Sequence, residues 1–430
     1  MHPTKPNILM ILTDQHRFDT IAAAVDNFGV TTPALDELTA TGVSFDAAYT
    51  TSPVCCPARS SIVTGLYPFQ TGVYGNLNDE VGPMAEGIVT IGNRMQDAGY
   101  QTVYHGKSHL GGDLAHYGFE IAFENNHDPS TVTEASRFWR NADWIVNKRP
   151  FFHVVSLLNP HDVYFLRPGT ELEPTLPRWA NQDDDLAGKP WPQANRHRRD
   201  WSDARWEYYR RFYAAKVSKV DSQIAELLDE LVCSGFGSNT WIIFTADHGD
   251  MAGEHALSFK GPFMYEGVTH VPLIIVPPRR AWGGAGNIDG DTGGFTPFRT
   301  DALVSHIDLV PTIMDIAGLE ADPARPGTSL LPIIRGEREE VHDHVLAEWH
   351  CMGKLGTPIR MVRTKQHKYN LYLGIGEELY DLDADAAELA NRADDPAFAA
   401  VKADLRGRLE AHLEQTGDPF FARPVSERPG

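Results

Sequence analysis

The stretch Pro53-Val54-Cys55-Cys56-Pro57-Ala58-Arg59-Ser60-Ser61-Ile62-Val63-Thr64-Gly65 contains a Cys-x-Pro-x-Arg core and predicts a short helix. Pro57 suits the first helical position, because the N–H that proline lacks has no partner there. Gly65 suits the residue just past the last turn. We therefore expect Cys55 immediately before a helix N-terminus, where free backbone N–H groups and the helix dipole favour an anion.

Arg59 lies in the same segment and adds a fixed positive charge. Its guanidinium group carries a fork of N–H donors whose geometry suits sulfate or phosphate. The pattern therefore predicts a nucleophile beside a site for a tetrahedral anion. Taken alone, the segment is equally compatible with an ordinary pair of neighbouring cysteines at a loop–helix junction.

Cys55-Cys56-Pro57-Ala58-Arg59, followed by Thr64-Gly65, resembles the signature of the type I sulfatases, which are formylglycine-dependent enzymes of the alkaline phosphatase superfamily. The resemblance implies that Cys55 is oxidised after translation to formylglycine (3-oxoalanine), an aldehyde whose hydrate is the nucleophile. It places Cys56 at a variable position of the motif. It also implies a formylglycine-generating enzyme as the partner that matures the chain.

The composition of the 430-residue chain, 42% hydrophobic and 22% charged, is ordinary for a soluble globular protein. Its 58 acidic and 38 basic residues give a formal net charge of −20. This charge disfavours non-specific binding to nucleic acid or to an anionic membrane. An anionic substrate therefore requires a locally basic pocket.

Targeting signals are not evident in the sequence. The first apolar run, residues 7–12, is too short for the core of a signal peptide. No run reaches the roughly 20 apolar residues of a membrane span. The four cysteines, two of them adjacent, do not form a disulfide framework for a chain of this size. We therefore expect a cytoplasmic enzyme without a membrane partner.

Apolar runs alternate with amphipathic segments, which predicts an α/β fold with a mostly parallel central sheet flanked by helices. The predicted strands are residues 7–12, 102–104, 151–158, 241–244 and 273–276, and the predicted helices include 88–98 and 213–232. Residues 165–206 are rich in Pro, Trp, Asp and Arg and show no clear period. We expect them to form a long excursion over the active-site side of the sheet.

The pattern changes near residue 336. Residues 344–349, 359–363, 369–372 and 378–382 predict short antiparallel strands, and an amphipathic helix follows at 397–414. We therefore predict a catalytic domain at 1–335 and a smaller C-terminal α+β subdomain with a tail at 336–430. The Pro-rich tail, residues 418–430, could clasp a neighbouring subunit in a homo-oligomer.

Metal-ligand and proton-transfer residue types follow four of the predicted strands. Ligands of open α/β sheets bind outside the carboxyl ends of the strands. We therefore expect these side chains to converge on one site. In chain order they are Asp14 and Gln15, Lys107 and His109, His161, and Asp247 and His248.

One divalent cation is predicted at this site, bound by Asp14, Gln15, Asp247, His248 and the side chain at position 55. Hard divalent cations favour carboxylate and amide oxygens. Alone, the Asp247-His248-Gly249 turn is more typical of a helix cap, and the second pair, Asp14-Gln15, favours a metal site. The resemblance implies Ca²⁺. Many family members have a second Asp in place of Gln15, and this difference and the nitrogen of His248 leave Mn²⁺ or Mg²⁺ open.

Three further segments resemble sulfatase motifs. Gly106-Lys107-Ser108-His109-Leu110-Gly111 resembles the family's Gly-Lys-x-His-Leu-Gly segment, and His161 matches its Pro-His element. Lys260, after Gly253-Glu254-His255, matches the lysine that acts on the leaving group. Each of these residues, taken alone, is more typical of an ordinary surface or core position.

The resemblance implies the chemistry of these residues. The hydrated formylglycine would attack sulfur while His161 and Lys260 assist the leaving group. Lys107 and Arg59 would hold charge and geometry. His109 would take the proton whose removal expels sulfate.

The resemblance therefore implies a sulfuric ester hydrolase, of the arylsulfatase type, that acts on a small anionic sulfate ester. The nearest alternative is a phosphonate monoester or phosphodiester hydrolase of the same superfamily, which shares the formylglycine. The pair Lys107 and His109 favours the sulfatase. A non-catalytic metal-binding or thiol-redox protein, with Cys55-Cys56 as a vicinal thiol pair, is the alternative from a different class.

Overall fold

A computed structural model of the chain describes residues 5–21, 28–76, 82–141, 149–165, 176, 178–193, 198–278, 295–350 and 357–423. Parts of the predicted excursion at 165–206 and residues 424–430 of the tail lie outside the described residues. Within the described ranges, every helix is too short or too polar to cross a membrane.

Twelve strands form two sheets in the described part of the chain. The central sheet has eight strands in the order β4-β3-β5-β1-β6-β7-β2-β8, and the second sheet has four in the order β12-β11-β10-β9. The strands are β1 (Asn7–Asp14), β2 (Val43–Tyr49), β3 (Gln101–Gly106), β4 (Ile121–Glu124), β5 (Phe151–Pro160), β6 (Thr240–Ala246), β7 (Leu273–Val276), β8 (Phe298–Ser305), β9 (Val345–Trp349), β10 (Ile359–Arg363), β11 (His367–Tyr372) and β12 (Gly376–Asp381).

The helices cover both faces of the central sheet. They are α1 (Pro33–Thr41), α2 (Cys55–Thr64), α3 (Pro68–Thr71), α4 (Ile91–Asp97), α5 (Asp128–Arg140), α6 (Asp203–Cys233), α7 (Glu266–Thr269), α8 (Leu309–Ile316), α9 (Leu331–Ile334) and α10 (Ala399–Thr416). Short 3-10 turns include His161–Phe165, which directly follows β5.

Strand β1 lies in the middle of the central sheet and is buried along its whole length. Successive side chains of a strand face opposite sides of the sheet. Ile8 and Met10 lie in the core on one face, and Leu9 and Ile11 lie in the core on the other. A strand buried on both faces appears in sequence as a continuous apolar run, which is why residues 7–12 are recognisable as a strand.

The predicted fold class is confirmed. Five of the seven neighbouring strand pairs in the central sheet are parallel, and β7 is the exception, because it runs antiparallel to both β6 and β2. The sequence prediction did not include β2, β4 or β8. Strand β4 is short and largely exposed, and half of β8 lacks a buried apolar pattern.

The C-terminal sheet is antiparallel throughout, as predicted. Helix α10 packs on it through Leu405, Leu409 and Leu413, which share a core cluster with Val362 and Leu371. This arrangement makes the C-terminal part an α+β unit with its own apolar core.

The helix boundaries differ from the predictions. The helix predicted at 88–98 is the shorter α4 (Ile91–Asp97), and the helix predicted at 397–414 is α10 (Ala399–Thr416). Helix α2 begins at Cys55 itself, and Pro57 is its third residue, because Val54 is the N-cap and its carbonyl accepts the first helical hydrogen bond from the N–H of Ala58. Helix α6 begins at Asp203, ten residues before the predicted helix at 213–232 and inside the expected excursion. Its first turns carry large aromatic residues that mask the helical period in the sequence.

Candidate active site

The carboxyl ends of four neighbouring strands meet at one edge of the central sheet. Strands β3, β5, β1 and β6 are adjacent and mutually parallel. Asp14 pairs with Pro160 across β1 and β5, and the N–H of Asp247 donates to the carbonyl of Thr13 at 3.1 Å. The residues predicted after these strands therefore lie at a common edge, as expected for an open α/β sheet.

Helix α2 brings Cys55 to this edge. The helix is buried along its whole length, and Gly65 ends it with a left-handed φ of 67°, as predicted. The Sγ atom of Cys55 lies 2.6 Å from Nζ of Lys260 and 3.3 Å from Nε2 of His248. It also lies 3.7 Å from Oδ1 of Asp14 and 4.0 Å from Nζ of Lys107. A buried sulfur therefore faces two ammonium groups at the start of a helix.

Four side chains can present ligand atoms to one metal ion. One ligand atom from each of Asp14, Cys55, Asp247 and His248 lies within 4.8 Å of the other three, and all four side chains are buried. Nδ1 of His248 lies 2.8 Å from the carbonyl of Gly249, so the N–H at Nδ1 fixes the ring and turns Nε2 toward Cys55. Buried carboxylates and a held imidazole are a donor set that suits a divalent cation.

Gln15 extends this donor set. Its backbone N–H donates to Oδ1 of Asp247 at 2.9 Å. Its side-chain oxygen Oε1 is buried and has no hydrogen-bond partner among the described residues. An unpaired buried amide oxygen, in a residue whose backbone is bonded to Asp247, fits the predicted role of Gln15 as a metal ligand.

Arg59 forms ion pairs with the carboxylates of both Asp14 and Asp247. Its Nη2 lies 3.0 Å from Oδ2 of Asp14 and its Nε lies 2.8 Å from Oδ2 of Asp247. Its Nη1 donates to the carbonyl of Lys107 and to Oγ of Ser156, both at 2.8 Å. Four of the five guanidinium N–H groups are thus engaged within the protein. The structure places Arg59 as a support of the carboxylates rather than as a free fork for the anion.

Positive charges set the ionisation of the site. Burial raises the pKa of Asp14, but Lys107, whose Nζ lies 2.6 Å from Oδ2 of Asp14, and the neighbouring cations hold it well below its usual value. Burial and Asp14 raise the pKa of Cys55, and Lys107, Lys260 and His248 outweigh them and hold it well below its usual value. A pocket that stabilises an anionic sulfur also attracts an anionic substrate.

His161 lies at the same edge, in the turn after β5. Burial lowers its pKa to about 3, so the imidazole is neutral at physiological pH. Its Nδ1 has no hydrogen-bond partner among the described residues. The ring of Tyr164 lies 4.8 Å from that of His161 and stacks at 4.0 Å on Phe259, the residue before Lys260. The aromatic stack therefore connects the segments that carry His161 and Lys260.

His109 follows Lys107 in a loop after β3. It is half-buried and has a left-handed φ of 54°. Its Nδ1 has no hydrogen-bond partner among the described residues, and within the same residues no hydrogen bond joins it to Cys55. Among the described residues, direct contacts therefore join the other predicted residues except His161, which interacts electrostatically with Asp14, Lys107 and Lys260.

Three residues at the site are absent from the sequence predictions. Ser156 binds Arg59, Tyr164 stacks beside His161, and Asp250 accepts a hydrogen bond from Nε2 of Gln15 at 2.5 Å. Asp250 comes directly after Asp247-His248-Gly249, and this position is a signal that could have identified it. Ser156 lies within a buried strand and Tyr164 just before the predicted excursion, and neither carries a recognisable pattern.

Comparisons with known proteins show the family of the chain. The sulfatase family model matches residues 6–319, and the model of the C-terminal region of N-sulphoglucosamine sulphohydrolase matches residues 253–415. The chain is 31% identical over 463 residues to the Delta 4,5-hexuronate-2-O-sulfatase of Bacteroides thetaiotaomicron. That alignment covers 99% of this chain and 92% of the relative.

Two solved structures share the fold. A 2-O GAG sulfatase superposes with a TM-score of 0.86 at 28% identity, covering 99% of this chain and 95% of the other. The phosphonate monoester hydrolase of Agrobacterium radiobacter superposes with a TM-score of 0.77 at 24% identity, covering 99% and 100%. At this identity, the likeness to the phosphonate monoester hydrolase shows a shared fold alone. The chain therefore belongs to the sulfatase family and is a sulfuric ester hydrolase, which confirms the prediction from the sequence.

Proposed function

We propose that Cys55, once converted to formylglycine, supplies the nucleophile for hydrolysis of a small sulfate ester at the carboxyl edge of the sheet. The observation that carries this proposal is the position of Sγ of Cys55. It lies within 4.8 Å of ligand atoms of Asp14, Asp247 and His248 and 2.6 Å from Nζ of Lys260. The sulfur stands in for the side-chain oxygen that formylglycine would carry.

Asp14, Gln15, Asp247 and His248 would hold a divalent cation, with Ca²⁺ as the first candidate and Mn²⁺ or Mg²⁺ as alternatives. Three of these residues offer oxygen atoms, which favours a hard cation. When bound, the cation supplies positive charge that activates the nucleophile and neutralises a sulfate oxygen. Arg59 keeps the two carboxylates in place through its bonds of 3.0 and 2.8 Å.

Lys107 and Lys260 would neutralise the substrate. Their ammonium groups lie 4.0 and 2.6 Å from Sγ of Cys55 and approach it from different segments of the chain. Fixed charges at the oxygens where negative charge develops lower the barrier, because they need no reorganisation during the reaction. We assign Lys107 to the sulfate oxygens and Lys260 to the leaving oxygen.

His161 would donate a hydrogen bond to the leaving oxygen, and His109 would accept a proton. The neutral ring of His161 can donate an N–H to the leaving oxygen, and its pKa of about 3 keeps it neutral at physiological pH. His109 is the proposed base that takes a proton when sulfate is expelled. Its Nδ1 is free of partners among the described residues, which leaves it available for this step.

The nucleophile is tested by mass spectrometry and two variants. In chain matured with a formylglycine-generating enzyme, the tryptic peptide ending at Arg59 should retain one cysteine sulfur instead of two. Cys55→Ala should abolish turnover with the fold intact, whereas Cys56→Ala should keep most activity. A dead Cys56→Ala enzyme beside an active Cys55→Ala enzyme would reverse the assignment. Two retained sulfurs in active protein would favour the thiol-redox alternative.

The substrate is tested by a screen across aryl, choline and sugar sulfates. The hexuronate 2-O-sulfatase among the relatives makes a 2-O-sulfated unsaturated hexuronate the first sugar to try. The same screen should include an aryl phosphonate, because a phosphonate monoester hydrolase shares the fold. Higher turnover of the aryl phosphonate than of any sulfate would favour that alternative.

The domain division, the compartment and the assembly are further proposals. The boundary at residues 335/336 falls between β8 and β9, where the chain passes from one sheet to the other. Cytoplasmic location is tested by cell fractionation of the untagged protein. Asp418 and Phe420, at the start of the tail at 418–430, are buried against this chain's own Arg360 and C-terminal core. A homo-oligomer formed through the tail is therefore tested by light scattering of the full chain and of a chain that ends at residue 423.

A further inference from the structure

Gln15 is held in an unusual backbone conformation. Its φ is 63°, in the left-handed region that residues other than glycine seldom adopt. Two hydrogen bonds keep it there: its N–H donates to Oδ1 of Asp247 at 2.9 Å, and its carbonyl accepts from the hydroxyl of Tyr213 at 2.7 Å. A strained residue that its surroundings hold at two points marks a functional position.

The side chain of Gln15 is oriented by Asp250. Nε2 of Gln15 donates to Oδ2 of Asp250 at 2.5 Å. Asp250 also accepts from the N–H of Ala252 at 2.7 Å and from the hydroxyl of Tyr209, which lies 2.9 Å from both carboxylate oxygens. Both carboxylate oxygens of Asp250 therefore serve as hydrogen-bond acceptors in this structure.

The Gln15 atom that faces Asp250 is the amide nitrogen, which can only donate, so the amide oxygen is the atom left over. That oxygen is buried and has no partner among the described residues. Leaving a buried oxygen unpaired costs free energy, which a bound cation would recover.

We propose that Asp250 is a positioning residue that fixes the amide of Gln15 with its oxygen, and not its NH₂ group, toward the cluster of Asp14, Cys55, Asp247 and His248. The inference rests on the proposed divalent cation at that cluster. Tyr209 and the N–H of Ala252 take part by holding the carboxylate of Asp250. Tyr209 and the segment of Asp250 and Ala252, both far from Gln15 in the sequence, thus decide whether Gln15 can serve as a ligand.

The substitution Asp250→Asn reverses the donor and acceptor pattern. Tyr209 and Ala252 would hold the oxygen of the new side chain, so its NH₂ group would face Gln15. Gln15 would then turn its own oxygen to that NH₂ group and its NH₂ group to the cation. Loss of such an orienting group typically lowers metal affinity 10- to 100-fold. We expect that loss when CaCl₂ is titrated calorimetrically into the chelator-treated full chain.

The double variant Gln15→Glu with Asp250→Asn separates orientation from general damage. In this double variant, the side-chain NH₂ group at position 250 can donate to one carboxylate oxygen at position 15. The other carboxylate oxygen at position 15 then remains available to the cation. We expect it to bind Ca²⁺ more tightly than Asp250→Asn alone. Asp308→Asn, at another buried carboxylate with two backbone partners, controls for the loss of a buried charge and should leave Ca²⁺ affinity unchanged. Thermal unfolding with chelator present checks that each variant folds.

The outcomes separate this inference from the proposed function. Unchanged Ca²⁺ affinity in Asp250→Asn, or a double variant no tighter than that single variant, would overturn the role of Asp250 while sulfate hydrolysis stands. A wild-type chain that binds none of Ca²⁺, Mn²⁺ and Mg²⁺ would overturn both the metal site and this inference. A loss in the single variant with recovery in the double variant supports the inference.

Discussion

Nζ of Lys260 lies 2.6 Å from Sγ of Cys55, a residue 205 positions earlier in the sequence. The same nitrogen lies 2.9 Å from Nε2 of His248. Burial lowers the pKa of Lys260, but the anionic side chains around it raise the pKa above its usual value, so the lysine is charged. Position 55 therefore meets a fixed cation in addition to the carboxylate of Asp14.

We expect Lys260→Ala to lower kcat for an aryl sulfate by about 10²- to 10³-fold, the typical effect of removing one preorganised charge partner. The loss should be larger for esters of poorly acidic phenols, because these need more stabilisation of the leaving oxygen. The loss of kcat is measured across a series of aryl sulfates whose phenols differ in acidity. Lys402→Ala, at a partly exposed lysine paired with Glu377, is the control and should match the wild type. An equal loss across the whole series would contradict a role at the leaving oxygen.

Arg59→Ala should lower the free energy of unfolding and should also lower the activity. It removes the cation between Asp14 and Asp247, which are both fully buried. Breaking a buried ion pair from one side typically costs about 3–5 kcal/mol. Urea unfolding with chelator present should show this loss, and added Ca²⁺ should recover part of it, because binding to the folded state stabilises it.

The matched variant is Arg59→Lys, which keeps the charge and loses the fork of donors. We expect its free energy of unfolding to lie between those of Arg59→Ala and the wild type. A stability equal to that of Arg59→Ala would show that the hydrogen bonds, and not the charge, hold the carboxylates.

Gly106→Ala should impair both stability and activity. Gly106 has a φ of 99°, and a Cβ there would lie 1.9 Å from the carbonyl oxygen of Ser156 in the neighbouring strand. That oxygen accepts a hydrogen bond from the N–H of Lys107 at 3.1 Å, so the strain would reach the lysine directly. Gly99→Ala is the control, because Gly99 has a φ of 85° and open space around it. It should lose only roughly 1–2 kcal/mol and keep full kcat.

Acid should destabilise the protein through buried histidines. Burial and His105 hold the pKa of His153 well below its usual value, and burial lowers that of His105 to about 4. The unfolded chain binds these protons near pH 6.5 and the folded chain does not. Their stabilising effect is therefore complete above about pH 6.5 and is lost as the pH falls toward 4.

In His153→Phe, the free energy of unfolding should depend less steeply on pH. The slope should fall by up to about 1.4 kcal/mol per pH unit, which is the free energy linked to one proton. Urea unfolding at a series of pH values between 4 and 7 measures the slope. A variant whose stability falls with acid as steeply as that of the wild type would contradict this assignment.

The sequence predicted that several side chains of the candidate site converge, because they follow recognisable strands. Asp14, His161 and Asp247 each come after a buried apolar run, and parallel strands bring such ends to one edge. Helix α2 was predicted from Pro57 and Gly65, although it begins at Cys55. The role of Arg59 was less accessible, because the acceptors of a buried guanidinium group depend on which strands are neighbours.

The sequence by itself determined which chemical groups gather at the carboxyl edge, since the residue types that directly follow the apolar strands suffice for that conclusion. Only the tertiary structure decided which atoms touch: Lys260 on Cys55, Arg59 between two carboxylates, and Asp250 on the amide of Gln15. These contacts join residues far apart in the chain and depend on left-handed conformations at Gln15 and Phe259. No local periodicity encodes such conformations, because they are imposed by packing around them.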